Sequence, residues 1–237
     1  MQWPAAICLS VVSLTSLIYG IVPAKAPAPA WFSVSRNSLC VTEGVIKQAE
    51  GNRLSVDVPK MRAYVNKFTA QAIEARFTYL GPTAVQSPLA SGQIRRQFGL
   101  KLRAQDGCNL VYAMWRFEPE SKFVVSVKSN PNEHTSAECG NRGYQNIKAK
   151  RTSSVPLVHP GETHTVRAEM NAAELAVFVD GTLVWEGNVG PEKISSDGPV
   201  GIRSDNARLE LEVQARQNDG VHPDYVLGCK SDAGGSD

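Results

Sequence analysis

Hydrophobic and polar residues alternate along much of this chain, most clearly over residues 161–214. Val166, Ala168 and Met170 share one parity and Thr165, Arg167 and Glu169 the other, the pattern of a strand with one buried face. Leu175, Val177 and Val179 repeat it up to Asp180-Gly181, a pair suited to the two positive-φ positions of a type I′ turn. Residues 182–185 then return antiparallel, and 208–214 alternate without interruption, which places Leu209, Leu211 and Val213 in a core. Such a run predicts an antiparallel sheet with one dry face.

Taken in order, residues 31–39 read as an edge segment, and 41–50 with 53–58 as two strands turning at Gly51-Asn52. Residues 62–80 carry strand patterns ahead of Gly81-Pro82, with a short helix over 66–72 as an alternative, and 85–92 is a loop. In 93–103, Ile94, Phe98, Leu100 and Leu102 share a parity, so Arg95, Gln97, Lys101 and Arg103 project on the opposite, wet face. Arg96 falls on the apolar side, where a guanidinium requires a partner or a solvent-filled cleft. Residues 108–117 are apolar on both faces apart from Asn109, Tyr112 and Arg116 and read as a central strand. Phe123, Val125 and Val127 face the core after it. Residues 130–151 change character: amides, hydroxyls and glycines dominate, in a polar loop of the kind that carries binding residues.

These elements predict an all-β fold, a two-sheet antiparallel β-sandwich. Three runs, His-Thr-Val-Arg-Ala-Glu at 164–169, Val-Phe-Val-Asp-Gly-Thr-Leu-Val at 177–184 and Gly-Pro-Val-Gly-Ile-Arg-Ser at 198–204, resemble the closing strands of concanavalin A-like, or laminin G-like, sandwich domains. The resemblance is strongest over 161–214 and implies a jelly roll. It implies no reaction, because that superfamily includes lectins, adhesion modules, glycosidases and polysaccharide lyases.

Residues 1–30 read separately. An uncharged, mostly apolar run over 5–22 precedes a Pro/Ala spacer over 23–30, the composition of a secretory signal peptide or an N-terminal membrane anchor. Ala28-Pro29-Ala30 before Trp31 is a small-x-small cleavage site, although no Lys or Arg precedes the apolar run. Cys8 is an apolar filler within it. Either reading leaves 31–237 as a single sandwich domain with a frayed C-terminal tail, exported: secreted, periplasmic or held at the outer face of a membrane through residues 1–30. The formal net charge of the chain is +2, and removing Lys25 brings the domain near neutrality, which disfavours nucleic acid and anionic membranes as partners. Four cysteines remain, and an even number in an exported domain implies two disulfides among three pairings. Cys108 with Cys139, each near the end of a central strand region, and Cys40 with Cys229, tying the chain ends, is the expected set. Zinc is disfavoured because no Cys-x-x-Cys occurs.

Candidate chemistry narrows to glycans. Sugar recognition needs an aromatic face for the ring and polar side chains for its hydroxyls; Tyr112, Trp115, Trp185 and Tyr144 with Asn109, Arg116, Asn141 and Arg142 supply these, and Arg96 joins them if its cleft is the same one. The favoured reading is a lectin-like protein that binds a polysaccharide or cell-surface glycan without transforming it. An alternative is an enzyme acting on a uronate-containing polysaccharide. A lyase would use a His or Tyr base and cations that neutralise the uronate carboxylate, with His134, Tyr144, Arg116 and Arg142 in those roles. Gln93-Ile94-Arg95 has Arg where the alginate-lyase signature has His, which counts against that alternative. A glycosidase would need an acid pair such as Glu118 with Glu120 or Glu133 with Glu138. A third class is a protein-binding adhesion module. His159, His164 and His222 read as surface or capping histidines. No cofactor is implied; calcium is the one metal considered, on Asp197, Asp205 and Asn206.

Overall fold

The computed structural model describes residues 1, 30–66, 69–190, 198–217 and 229. Nearly all of the expected leader, the tail beyond Gln217 apart from Cys229, Asp197 and His222 lie outside the described residues. In the first half of the chain the strands are β1 (Trp31–Ser33), β2 (Leu39–Glu43), β3 (Lys47–Gln48), β4 (Leu54–Val56), β5 (Lys60–Val65), β6 (Ala70–Pro82), β7 (Arg96–Leu102) and β8 (Leu110–Glu118). They continue with β9 (Lys122–Lys128), β10 (Tyr144–Asn146), β11 (Arg151–Thr152), β12 (Thr163–Asn171), β13 (Glu174–Val179), β14 (Thr182–Asn188), β15 (Gly201–Asp205) and β16 (Ala207–Gln217). A four-residue helix, α1 (Ser136–Cys139), interrupts the polar loop.

The strands form two antiparallel sheets packed as a sandwich, the architecture the alternation predicts. One sheet runs β11-β14-β13-β12-β6-β16-β4-β3 with β1 also on β16; the other runs β10-β9-β8-β7-β15-β5-β2. Between them lies a core built by the predicted parities, with Val166, Ala168, Leu175, Val177, Leu209 and Leu211 all buried. Phe77 of β6 meets Phe98 and Trp115 of the facing sheet at 4.9 and 5.8 Å between ring centroids. The turn at Asp180-Gly181 has φ of 49° and 77°, as a type I′ hairpin requires.

Two expectations change. Residues 41–50 do not form one strand: the chain leaves β2 at Gly44 and enters the other sheet as β3, which pairs with β4. Gly44 has φ of 76° and its absent Cβ would lie 2.1 Å from the Lys60 carbonyl, so only glycine lets the chain cross there. Of the alternative helix over 66–72, residues 67 and 68 lie outside the described residues and 70–72 belong to β6, whose alternating residues from Ala75 to Tyr79 supply the core.

Candidate functional site

Register builds a groove on the outer face of the seven-stranded sheet. Residues directly opposite one another in antiparallel strands share a face, so Lys60, Asp205, Gln97 and Arg116 form one rung across β5, β15, β7 and β8. The next rung is Arg62, Arg203, Gly99 and Met114, and the one after it Tyr64, Gly201, Lys101, Tyr112, Ser126 and Asn146, the last on β10. Gly99 matters in this floor: an added Cβ would stand 2.3 Å from the Ala113 carbonyl and 2.7 Å from Met114 Sδ. The walls come from Leu89–Ser91 on one side and from the Ser136, Gly140 and Asn141 region on the other. The resulting groove of about 420 Å³ is within the range of ligand clefts.

The second wall is held by covalent and polar ties. Both disulfides are those expected, Cys108–Cys139 and Cys40–Cys229, with Cα separations of 5.9 and 5.4 Å. Cys108–Cys139 fastens α1 to the start of β8. Thr135 caps α1 while Glu138 accepts from the Thr135 and His134 amides at 2.8 and 2.9 Å. Buried Asn109 accepts from the Asn130 amide at 2.8 Å and donates to the Asn130 and Glu133 carbonyls, so it holds the loop and presents nothing to a ligand. Lys128 donates to the Gly107 and Gly140 carbonyls at 3.2 and 2.9 Å. Its ammonium lies 5.1 Å from the centroid of the Tyr144 ring.

Under the groove lies a buried charge cluster. Asp205 is fully buried and receives Arg62 at 2.6 Å, Arg203 at 2.9 Å and the Gln97 amide at 2.6 Å. Burial pushes its carboxyl up, but Arg203 and Arg62 with these hydrogen bonds outweigh that and hold it at about 2. The Arg203 guanidinium lies over the Tyr112 ring at 4.8 Å and reaches the Tyr144 hydroxyl at 3.4 Å. The two tyrosines stack at 5.9 Å, Tyr112 buried beneath and Tyr144 40% exposed above. Burial raises the Tyr112 phenol. Burial acts in the same sense on Tyr144, yet the Arg203 and Lys128 charges overcome it and lower that phenol. Arg116 is lowered by burial and by the neighbouring Arg95 and Arg203 charges.

No protein-family model and no curated protein sequence matches the chain. Among solved structures, a carbohydrate-binding module, CBM66, from Bacillus subtilis aligns with TM-score 0.49 and 12% identity over 73% of this chain and 91% of its own. Domain 4 of AbnA, a GH43 extracellular arabinanase from Geobacillus stearothermophilus in complex with arabinotriose, gives 0.43 and 11% over 80% and 92%. A tetrameric galectin from the ball sponge Cinachyrella gives 0.42 and 13% over 68% and 100%. These likenesses go no further than sandwich architecture.

Of the side chains anticipated for a ligand, Tyr112, Arg116, Asn141 and Tyr144 converge on the groove. Trp115 does not: it is fully buried between the sheets, edge-on to Phe77, and Trp185 is buried in the same core. Arg96 turns away from the groove and pairs with Glu118, close enough to Tyr79 for each to act on the other's ionisation. Arg142 and His134 point outward, engaged by Glu133 and Asp106. The acid pairs fare likewise, since Glu118, Glu120 and Glu133 are each held by a cation and Glu138 by the cap of α1. Asp205 and Asn206, the calcium candidates, are engaged within the chain: the first accepts from Arg62, Arg203 and Gln97, and the second donates to the Ser87 and Arg95 carbonyls. Among the described residues no group of three or more metal-ligating side chains occurs. Sequence reasoning missed Arg62, Lys128 and Arg203 as site residues. The signal available for Lys128 was its parity with Val124 and Ser126, opposite to the core-facing Val125 and Val127.

Proposed function

We propose that this protein is an exported glycan-binding sandwich that holds a polysaccharide on the outer face of its seven-stranded sheet. The observation that carries the reading is the half-exposed Tyr144 ring, stacked on Tyr112 and set at a groove among Asn141, Asn146, Arg116 and Arg203. An aromatic face flanked by amides and guanidiniums accommodates the apolar side of a sugar ring and its hydroxyls together. Two disulfides, and the apolar 5–22 run ahead of the domain, support export. The test is size-exclusion chromatography of the full chain with a panel of polysaccharides, following protein and sugar separately. Protein carried to the elution volume of an intact polymer supports the reading, and Tyr144→Ala should abolish that shift. No shift with any polymer would move the assignment to a protein partner.

A second reading, polysaccharide lyase, is favoured by one observation: the Tyr144 phenol is lowered by cations beside Arg116. In that reading Tyr144 is the general base for the proton α to a uronate carboxylate. Ultraviolet-absorbing unsaturated ends in the same experiment identify that activity, and their absence with binding retained removes it.

A further inference from the structure

The groove's charges are unequal, and the inequality is local. Glu43 is the one carboxylate lining it among the described residues, against seven Lys and Arg side chains, while Asp205 lies buried below the floor. Several of these cations have inward duties. Arg62 and Arg203 are engaged by Asp205, and Lys128 is spent on backbone carbonyls.

Arg116 is different. No described residue forms an ion pair or hydrogen bond with it, and its Nε is buried with no acceptor. Its neighbour Arg95 is tied only to the neutral Gln93 side-chain carbonyl. The carboxylate that acts on Arg116, Glu120, is itself engaged by Lys122. Burial first, and then the Arg95 charge, lowers the Arg116 pKa, and among the described residues no carboxylate is paired with either guanidinium. Such an arrangement destabilises the empty protein and is relieved when an anion enters. Arg95 and Arg116 also line a second hollow of about 300 Å³ with Ile94, Pro119 and the Glu120–Lys122 ion pair. The pair therefore sits at the junction of two hollows, part-way along a trough.

Building on the glycan reading, we infer that the ligand is an acidic polysaccharide, and that the Arg95–Arg116 pair binds a carboxylate or sulfate of one sugar unit while Tyr144 receives the ring of another. A planar guanidinium binds either anion bidentately. Because the trough continues on both sides of the pair, the ligand is an extended chain.

The test is retention of the full chain by polygalacturonate, dextran sulfate, neutral dextran and single-stranded DNA in affinity electrophoresis, from low to high salt. Retention by the carboxylate polymer, the sulfate polymer or both, weakening with salt and absent for dextran, is the expected result; the stronger arm identifies the anionic group. Arg116→Gln should weaken that retention about tenfold, with Arg116→Lys recovering part of it. Arg151→Gln, on the other sheet, should leave it within about twofold. Melting temperatures no lower than that of the unsubstituted chain keep the comparison interpretable, and Arg95→Gln provides a second route if Arg116→Gln unfolds. Salt-independent binding of dextran as tight as that of the acidic polymers would overturn this inference and leave the glycan reading standing. Binding of DNA as tight as that of the polysaccharides would overturn it in favour of unselective polyanion capture. Failure to retain any polymer would overturn both.

Discussion

Both sheets turn charged residues outward, but they treat them differently. On the nine-stranded sheet the charges answer one another along and across strands: Arg167 meets Glu169 of its own strand at 3.2 Å and Glu74 of the next at 4.0 Å, Arg216 meets Glu169 at 3.4 Å over the intervening β6, and Arg53 meets Glu210 at 3.2 Å. On the seven-stranded sheet the cations lining the groove outnumber the acids, and the central one, Arg116, has no partner among the described residues. A self-neutralised face needs nothing from outside to be stable in water. On the groove face the lining cations are not matched by carboxylates among the described residues. Near-neutral total charge concealed this difference, because the sum over the chain carries no information on where the charges lie.

The sharpest way to break the contrast is to remove the acid beneath the groove. Asp205→Ala leaves Arg62 and Arg203 without their shared counter-ion, and the loss should be about 3–5 kcal/mol, read as a fall in denaturant midpoint. An unchanged midpoint would show that the cluster is solvated. Acid should act on the same group more gently. With a folded-state value near 2 and an ordinary value of 3.8, the folded chain binds fewer protons than the unfolded one between those limits. The stabilisation is complete above about pH 4 and is lost as pH falls toward 2, by about 2 kcal/mol. Asp205→Asn should flatten that part of the pH–stability curve.

Smaller effects separate the two faces. Arg116→Gln should cost about 1.4 kcal/mol in acidic-polysaccharide binding, the equivalent of a roughly tenfold change, without lowering the melting temperature. Arg167→Ala on the opposite sheet should do the reverse. It removes exposed pairs worth at most about 1 kcal/mol of stability and leaves polysaccharide retention unchanged. A variant of Arg167 that lost retention would place the site on the wrong sheet.

Much of the groove's floor is legible in the strand pattern alone. The alternation in 93–103 puts Arg95, Gln97, Lys101 and Arg103 on one wet face; the first three are on the groove face, Gln97 and Lys101 buried in its floor, while Arg103, with φ of 49°, leaves the strand and donates to the Ala172 carbonyl. Trp115 shows where that reasoning stops. Tyr112 and Trp115 are three residues apart on a strand apolar on both sides, so parity separates them but cannot say which parity is covered by the other sheet. Arg96 fails for a related reason. Its parity is read correctly, and the partner it demands is Glu118, across the register shift between Arg96 and Gln97. Asn109 reads as a sugar contact because an amide's hydrogen bonds look the same whether they hold a loop or a ligand.

The sequence by itself determined what is local or periodic. Strand alternation follows from the two-residue repeat of the backbone, the Asp180-Gly181 hairpin from residues that tolerate positive φ, and the number of disulfides, though not their pairing, from four cysteines in a domain read as exported. Only the tertiary structure decided the site. Arg62, Arg203, Gln97, Arg116 and Tyr144 come from five strands, and they meet because β15 inserts between β5 and β7, a long-range pairing that no local signal encodes. The same pairing brings Asp205 beneath two arginines.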